Sequence, residues 1–149
     1  MHIKVNEVNV SYSGNIKVSK LPKINSSAAA ATVFFENWNK DNIELHESFK
    51  LMLLNNNNRV KGIYTLSNGG ITGTLVDLRI LFAVVLKSLT TAVILAHNHP
   101  SGTLRPSHPD KSLTRKIKEA AVFFDIKVLD HLIINPEGNF FSFADEGIL

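Results

Sequence analysis

The chain contains no cysteine. That absence removes disulfide frameworks and zinc sites built on thiolates. It also removes the zinc deaminases, whose centre needs Cys-X-X-Cys beside a histidine. Long apolar runs are lacking as well. The longest, Ile80 to Leu86, falls far short of the ~18 residues of a membrane span. Met1-His2-Ile3-Lys4-Val5 has no apolar stretch of the secretory kind, so a cytoplasmic protein with no membrane contact is expected. Charge is sparse: 19% of residues, with 16 basic against 13 acidic and a formal net charge of +3. Together with 44% hydrophobic residues, this argues against disorder and for a real core. The slight basic excess permits contact with nucleic acid but does not demand it. There is no internal repeat, and 149 residues suit one domain.

What is present concentrates between Ala92 and Asp110. Val93 to Ala96 reads as a buried strand. It runs into His97 and His99, which lie two apart and so share a face of an extended chain. Pro100 and Gly102 then turn the chain, and Asp110 follows where a helix should begin. Two imidazoles and a carboxylate are good ligands for a zinc ion, one per chain. Three protein ligands leave the fourth position to water, as in catalytic sites. Ser107-His108-Pro109-Asp110 also has the form of a helix capping box, with Pro109 suited to the first turn. His97-Asn98-His99 spells the name of a nuclease class, but those enzymes spread their residues over a long metal finger.

A site of this kind still needs a general base. Upstream, Glu36 falls in an expected helix, Glu44 in a loop, and Glu47 at the start of a strand. A strand start can lie beside the end of the histidine strand.

His97-X-His99-Pro100 followed by Ser107-X-X-Asp110 resembles the JAMM (MPN-plus) metalloprotease motif. The surrounding text, Ile94 to Gly102 and again Val128 to Ile134, is similar to the bacterial RadC family over roughly residues 26–149. Relatives often carry Asp-Pro or a similar polar pair where this chain has Thr103-Leu104, a loop position that is not a ligand. Glu47-X-Phe49 resembles the RadC segment that carries the JAMM glutamate. The resemblance implies zinc on His97, His99 and Asp110, with Glu47 moving protons and Ser107 donating a hydrogen bond to the oxyanion. The implied reaction is hydrolysis of a peptide or isopeptide bond in a protein or peptide substrate. His131 is expected to be a hydrogen-bonded core histidine, or else to support the metal site from behind.

In chain order, residues 1–25 read as an arm with one or two short edge strands, and residues 26–149 as the RadC-like domain. The pattern predicts a helix from Ser26 or Ser27 to about Asn39, and strands at 47–54 and 60–66 around an asparagine turn. A second helix enters at Asp77 and runs to about Ser88. A third spans about 109–124, with Leu113, Ile117, Ala120 and Phe124 inward. Strands at 127–134 and 139–143 form a closing hairpin. Alternating helices and strands predict an α/β fold, a mixed sheet with helices packed on it. The resemblance implies the same in the form of the JAMM/MPN architecture, related to the cytidine deaminases.

Two other functions compete with the hydrolase. One is a non-catalytic module associated with DNA repair, suggested by the RadC name. Residues 1–25 are too short and too strand-like for the helix-hairpin-helix region that relatives often carry, so weak or no direct DNA binding is expected. The other is a scaffold with a vestigial site, which the presence of all five motif residues opposes. The substrate and the oligomeric state are not written in the sequence.

Overall fold

The computed structural model describes residues 1–70 and 75–149. Helix α1 (Ser27–Glu36) precedes strands β1 (Ser48–Leu54) and β2 (Val60–Asn68). Then come α2 (Leu78–Lys87), β3 (Ala92–Asn98), α3 (His108–Val122), β4 (Lys127–Ile134) and β5 (Phe140–Ser142). The strands form one mixed sheet in the order β2-β1-β3-β4-β5. β3 and β4 are parallel; every other neighbouring pair is antiparallel. This is the α/β architecture that the alternation of elements implied.

Strand alternation gives the sheet two buried faces. Met52, Leu54, Ile94, Ala96, Leu132 and Ile134 pack with Ala30, Ala31 and Phe34 of α1. Phe49, Leu51, Leu53, Val93, Leu95 and Val128 pack with Leu81 and Val85 of α2 and with Ile117 and Ala121 of α3. Antiparallel pairing sets the start of β1 beside the end of β3, with Phe49 opposite His97. The segment holding Glu47 therefore arrives where the histidines leave the sheet. Among the described residues, no helix is long and apolar enough to cross a membrane.

Helix boundaries follow local chemistry. The Ser26 hydroxyl accepts from the Ala29 N–H at 3.0 Å, and the Asp77 carboxylate accepts from the Arg79 N–H at 2.9 Å. α1 ends three residues earlier than the pattern suggested, because the Asn37 amide folds back onto the Val33 carbonyl at 2.8 Å. Trp38 is nonetheless buried beyond the helix end.

Two expectations are corrected. Residues 1–25 form no strand; they carry a short 3-10 turn at Val18–Lys20 and an isolated bridge between Lys23 and Arg59. Ile3, Val5, Val8 and Val10 stay 77%, 85%, 87% and 66% exposed. The alternation breaks between Val5 and Val8, so these side chains fall on opposite sides of an extended chain and no single face remains to bury. Of the expected inner stripe of α3, Ile117 is buried and Leu113 packs against the same core, but Thr114 and Ala121 complete it in place of Phe124. The helix stops at Val122 and Asp125 turns the chain at φ +53°. Phe124 thus lies outside the helical period, half exposed, with its ring 5.5 Å from that of Phe82.

Candidate functional site

Glu47, His97, His99 and Asp110 converge at the end of β3. One ligand atom from each lies within 4.8 Å of all the others. His97 is the last inward-facing residue of β3 on the α3 side and is almost fully buried. His99 follows in the loop, where its backbone N–H donates to Ile134 at 3.1 Å. Gly102, at φ +89°, donates its N–H back to the His99 carbonyl and reverses the chain. α3 then begins beside the histidines.

The capping box at Ser107 is complete. Ser107 Oγ accepts from the Asp110 N–H at 3.1 Å, and Asp110 Oδ2 accepts from the Ser107 N–H at 2.8 Å. Capping therefore aims the Asp110 carboxylate. Oδ2 lies 3.3 Å from His97 Nε2 and 3.6 Å from His99 Nε2, while the two Nε2 atoms are 3.0 Å apart. Glu47 Oε1 stands further out, 3.9 Å from His97 Nε2.

Hydrogen bonds behind the rings decide what faces the centre. His99 Nδ1 lies 2.7 Å from the Thr103 carbonyl, which can only accept, so that nitrogen carries a proton. In its neutral form His99 then presents a bare Nε2 towards His97. Two ring nitrogens and a carboxylate oxygen aimed at one point repel each other unless positive charge lies between them. Such a donor set fits a metal ion.

The titratable groups act strongly on one another. Burial works to raise Asp110, but the histidines and the Ser107 N–H hold its carboxyl far below the usual range. Burial works to lower His99, yet Asp110 and the Thr103 carbonyl outweigh it and raise the imidazole. Glu47 goes the other way: burial, helped by Asp110, lifts its carboxyl above the ordinary value against the pull of the histidines. Beside the cluster an open cleft of about 580 Å³ is lined by Glu44, Glu47, Pro100, Ser101, Thr103 and Arg105.

Among the sequence candidates, Ser107 is an exposed helix cap bonded to Asp110, and Glu36 is exposed on α1 and is not part of the cluster. His131 is fully buried; its ring lies 2.7 Å from His97 and contacts Phe49 and Phe143. Three contributors were not singled out from the sequence. Thr114 reaches His131 from α3. Phe49 lies parallel to the His97 ring, with centroids 6.1 Å apart. Asn98, between the two histidines, points to the opposite face. There its amide accepts from the Ser48 N–H at 2.7 Å and donates to the Ile43 and His46 carbonyls at 2.8 and 3.0 Å. It thereby pins the segment that carries Glu47. Its signal was available: a polar residue at an inward position of a buried strand needs partners.

Comparison with known proteins agrees with this architecture. A profile of the RadC-like JAB domain matches residues 24–148. A "UPF0758 protein" of Flavobacterium johnsoniae is 48% identical over 132 residues, which is 88% of this chain and 56% of the relative. Proteins of the same name from Porphyromonas gingivalis and Trichlorobacter lovleyi are 44% and 39% identical, over 69% and 83% of this chain and 45% and 53% of their own lengths. The chain spans about half the length of the curated relatives it matches. With nearly its whole length matched by the family profile, the chain belongs to the RadC-like JAB domain family.

Proposed function

We propose that this domain is a zinc-dependent hydrolase of the JAMM type that cleaves a peptide or isopeptide bond. The observation that carries the reading is the convergence of His97 Nε2, His99 Nε2 and Asp110 Oδ2 at 3.0, 3.3 and 3.6 Å. Ligand atoms around a tetrahedral zinc with bonds of about 2.0–2.1 Å lie about 3.3 Å apart. Those three residues would hold the ion, which when bound supplies Lewis acidity towards a carbonyl and acidifies water.

Glu47 stands one step outside the three, as suits a base that is not a ligand. Its carboxylate, 3.9 Å from His97 Nε2, is placed to reach a water held at that centre. It takes the proton of the attacking water and returns it to the leaving amine. Ser107 Oγ accepts from the Asp110 N–H, so its own proton remains available to the developing oxyanion. The open cleft suits an extended segment of protein or peptide.

The test begins with metal analysis of purified protein. About one zinc per chain is expected, with nearly all of it lost in His97→Ala/His99→Ala. Equal zinc in the two proteins would refute the metal assignment. Screening a peptide and isopeptide library with the zinc-loaded protein then tests the reaction, with metal removal by a chelator as control.

A further inference from the structure

We propose that Thr114 and His131 are positioning residues that hold the His97 proton on Nδ1, so that Nε2 meets the metal cluster as a bare lone pair. The inference deepens the metal-site reading above and rests on it for its meaning. Its geometry comes from different atoms.

His97 Nδ1 lies 2.7 Å from His131 Nε2. Two ring nitrogens at that distance share one proton, and nothing at the contact itself says which ring owns it. The direction is set further along. Thr114 Oγ1 is 2.8 Å from the Asp110 backbone carbonyl. A carbonyl only accepts, so the single hydroxyl proton of Thr114 is committed there. On its other side Thr114 Oγ1 lies 2.5 Å from His131 Nδ1. Having no second proton, Thr114 accepts at that contact, and His131 Nδ1 carries the hydrogen. His131 is fully buried, with its ring stacked on Phe143 at 4.5 Å and in edge contact with Phe49 at 5.5 Å. Its two nitrogens meet Thr114 Oγ1 and His97 Nδ1, and the ring's one N–H is the one that Thr114 accepts. Its Nε2 is therefore bare and accepts from His97 Nδ1–H, which leaves His97 Nε2 bare and facing Asp110 and His99.

The chain of bonds starts on the backbone of Asp110 and ends on the ring that faces the Asp110 side chain, 3.3 Å away. α3, β4 and β3 are thus tied around the cluster by one directed loop. Without Thr114, His131 is free to take either tautomer. One of them reverses the shared proton and turns an N–H, not a lone pair, towards the cluster. Hydrogen bonds behind metal-ligating histidines have this orienting role in general. Here the partner is a second histidine whose direction is set by a threonine.

The experiment uses the full 149-residue chain. Nitrogen-15 NMR of the metal-free protein at neutral pH should find both His97 and His131 protonated on Nδ1. Zinc titration against a competing chelator should show Thr114→Val, which keeps the shape but has no hydroxyl, weakened roughly 10–100-fold. Thr114→Ser should restore the affinity. His97 protonated mainly on Nε2 in wild type would overturn the proposal. So would unchanged affinity in a folded Thr114→Val protein, or a loss that Thr114→Ser does not repair. If Thr114→Val fails to fold, the wild-type tautomers decide. A wild type that takes up no zinc would end the hydrolase reading, while the tautomers would still be measured independently.

Discussion

The two faces of the central sheet are buried to similar depth but spend that burial differently. The α1 face is hydrocarbon through its middle: Met52, Leu54, Ile94, Ala96, Leu132 and Ile134 are all under 4% exposed, and the buried Asn98 amide stands only at the end of β3. The opposite face begins the same way with Leu51, Leu53, Val93 and Leu95. It then gives up its last positions to His97 and His131, with Thr114 of α3 facing them. Buried imidazoles contribute less to stability than the aliphatic residues they displace, and they need partners for every nitrogen. The difference teaches that both faces carry the fold, while the histidines are confined to one of them and Asn98 braces their segment from the other.

Substitutions can sharpen or break that division. The largest effect is expected on the α1 face: Leu132→Ala should cost about 2–5 kcal/mol in denaturant unfolding. Its zinc stoichiometry should stay unchanged while the protein remains folded. Loss of metal before loss of structure would show that the faces are not separable.

Glu47→Gln should do the reverse. Hydrolysis should fall at least ~100-fold, the usual share of a positioned base, with zinc content and melting temperature near wild type. If Glu47→Gln loses its zinc, Glu47 is a ligand and the proposed mechanism is wrong. If it keeps full activity, Glu44 becomes the next base to test.

Ser107→Ala should be milder. The lost cap costs about 1 kcal/mol of stability, and activity should fall no further than in Glu47→Gln. A loss confined to stability would make Ser107 a cap only.

The smallest effect concerns Asp130, which accepts from Ser142 Oγ and from the His131 and Ala144 N–H groups. Burial raises its carboxyl above the ordinary 3.8, against those bonds. Between 3.8 and the raised folded value, the native protein still holds a proton that the unfolded chain has released. Wild-type stability should therefore decline as pH rises through that window. Asp130→Asn should flatten the decline in melting curves taken across pH; an unaltered slope would exclude Asp130 as its source.

Much of this was legible because it is local. Period-2 alternation placed His97 and His99 together, and the capping pattern located the start of α3 and with it Asp110. Glu47 needed a topological argument, that the start of one strand meets the end of its antiparallel neighbour. For His131 the buried, hydrogen-bonded role was legible, but the face it takes was not. Strict alternation groups it with Leu129, which packs towards α1. The register of β3 and β4 slips, so that Val93 pairs with Val128 but Ile94 pairs with Asp130. Leu129 is the extra residue, and the slip sets His131 opposite Leu95 on the face of α3. Such an irregularity leaves no mark in composition or spacing, yet it delivers the ring that meets His97. The arm failed for a simpler reason: weak alternation predicts a strand only where a partner edge completes it.

Asn98 gives the site a mechanical property. A strand cannot turn one side chain without carrying its neighbours. The residue between His97 and His99 is bonded through its amide to the segment that bears Glu47. A shift or twist at the end of β3 therefore moves the histidines and the glutamate in step, and their separation is set by one stiff joint instead of two independent loops.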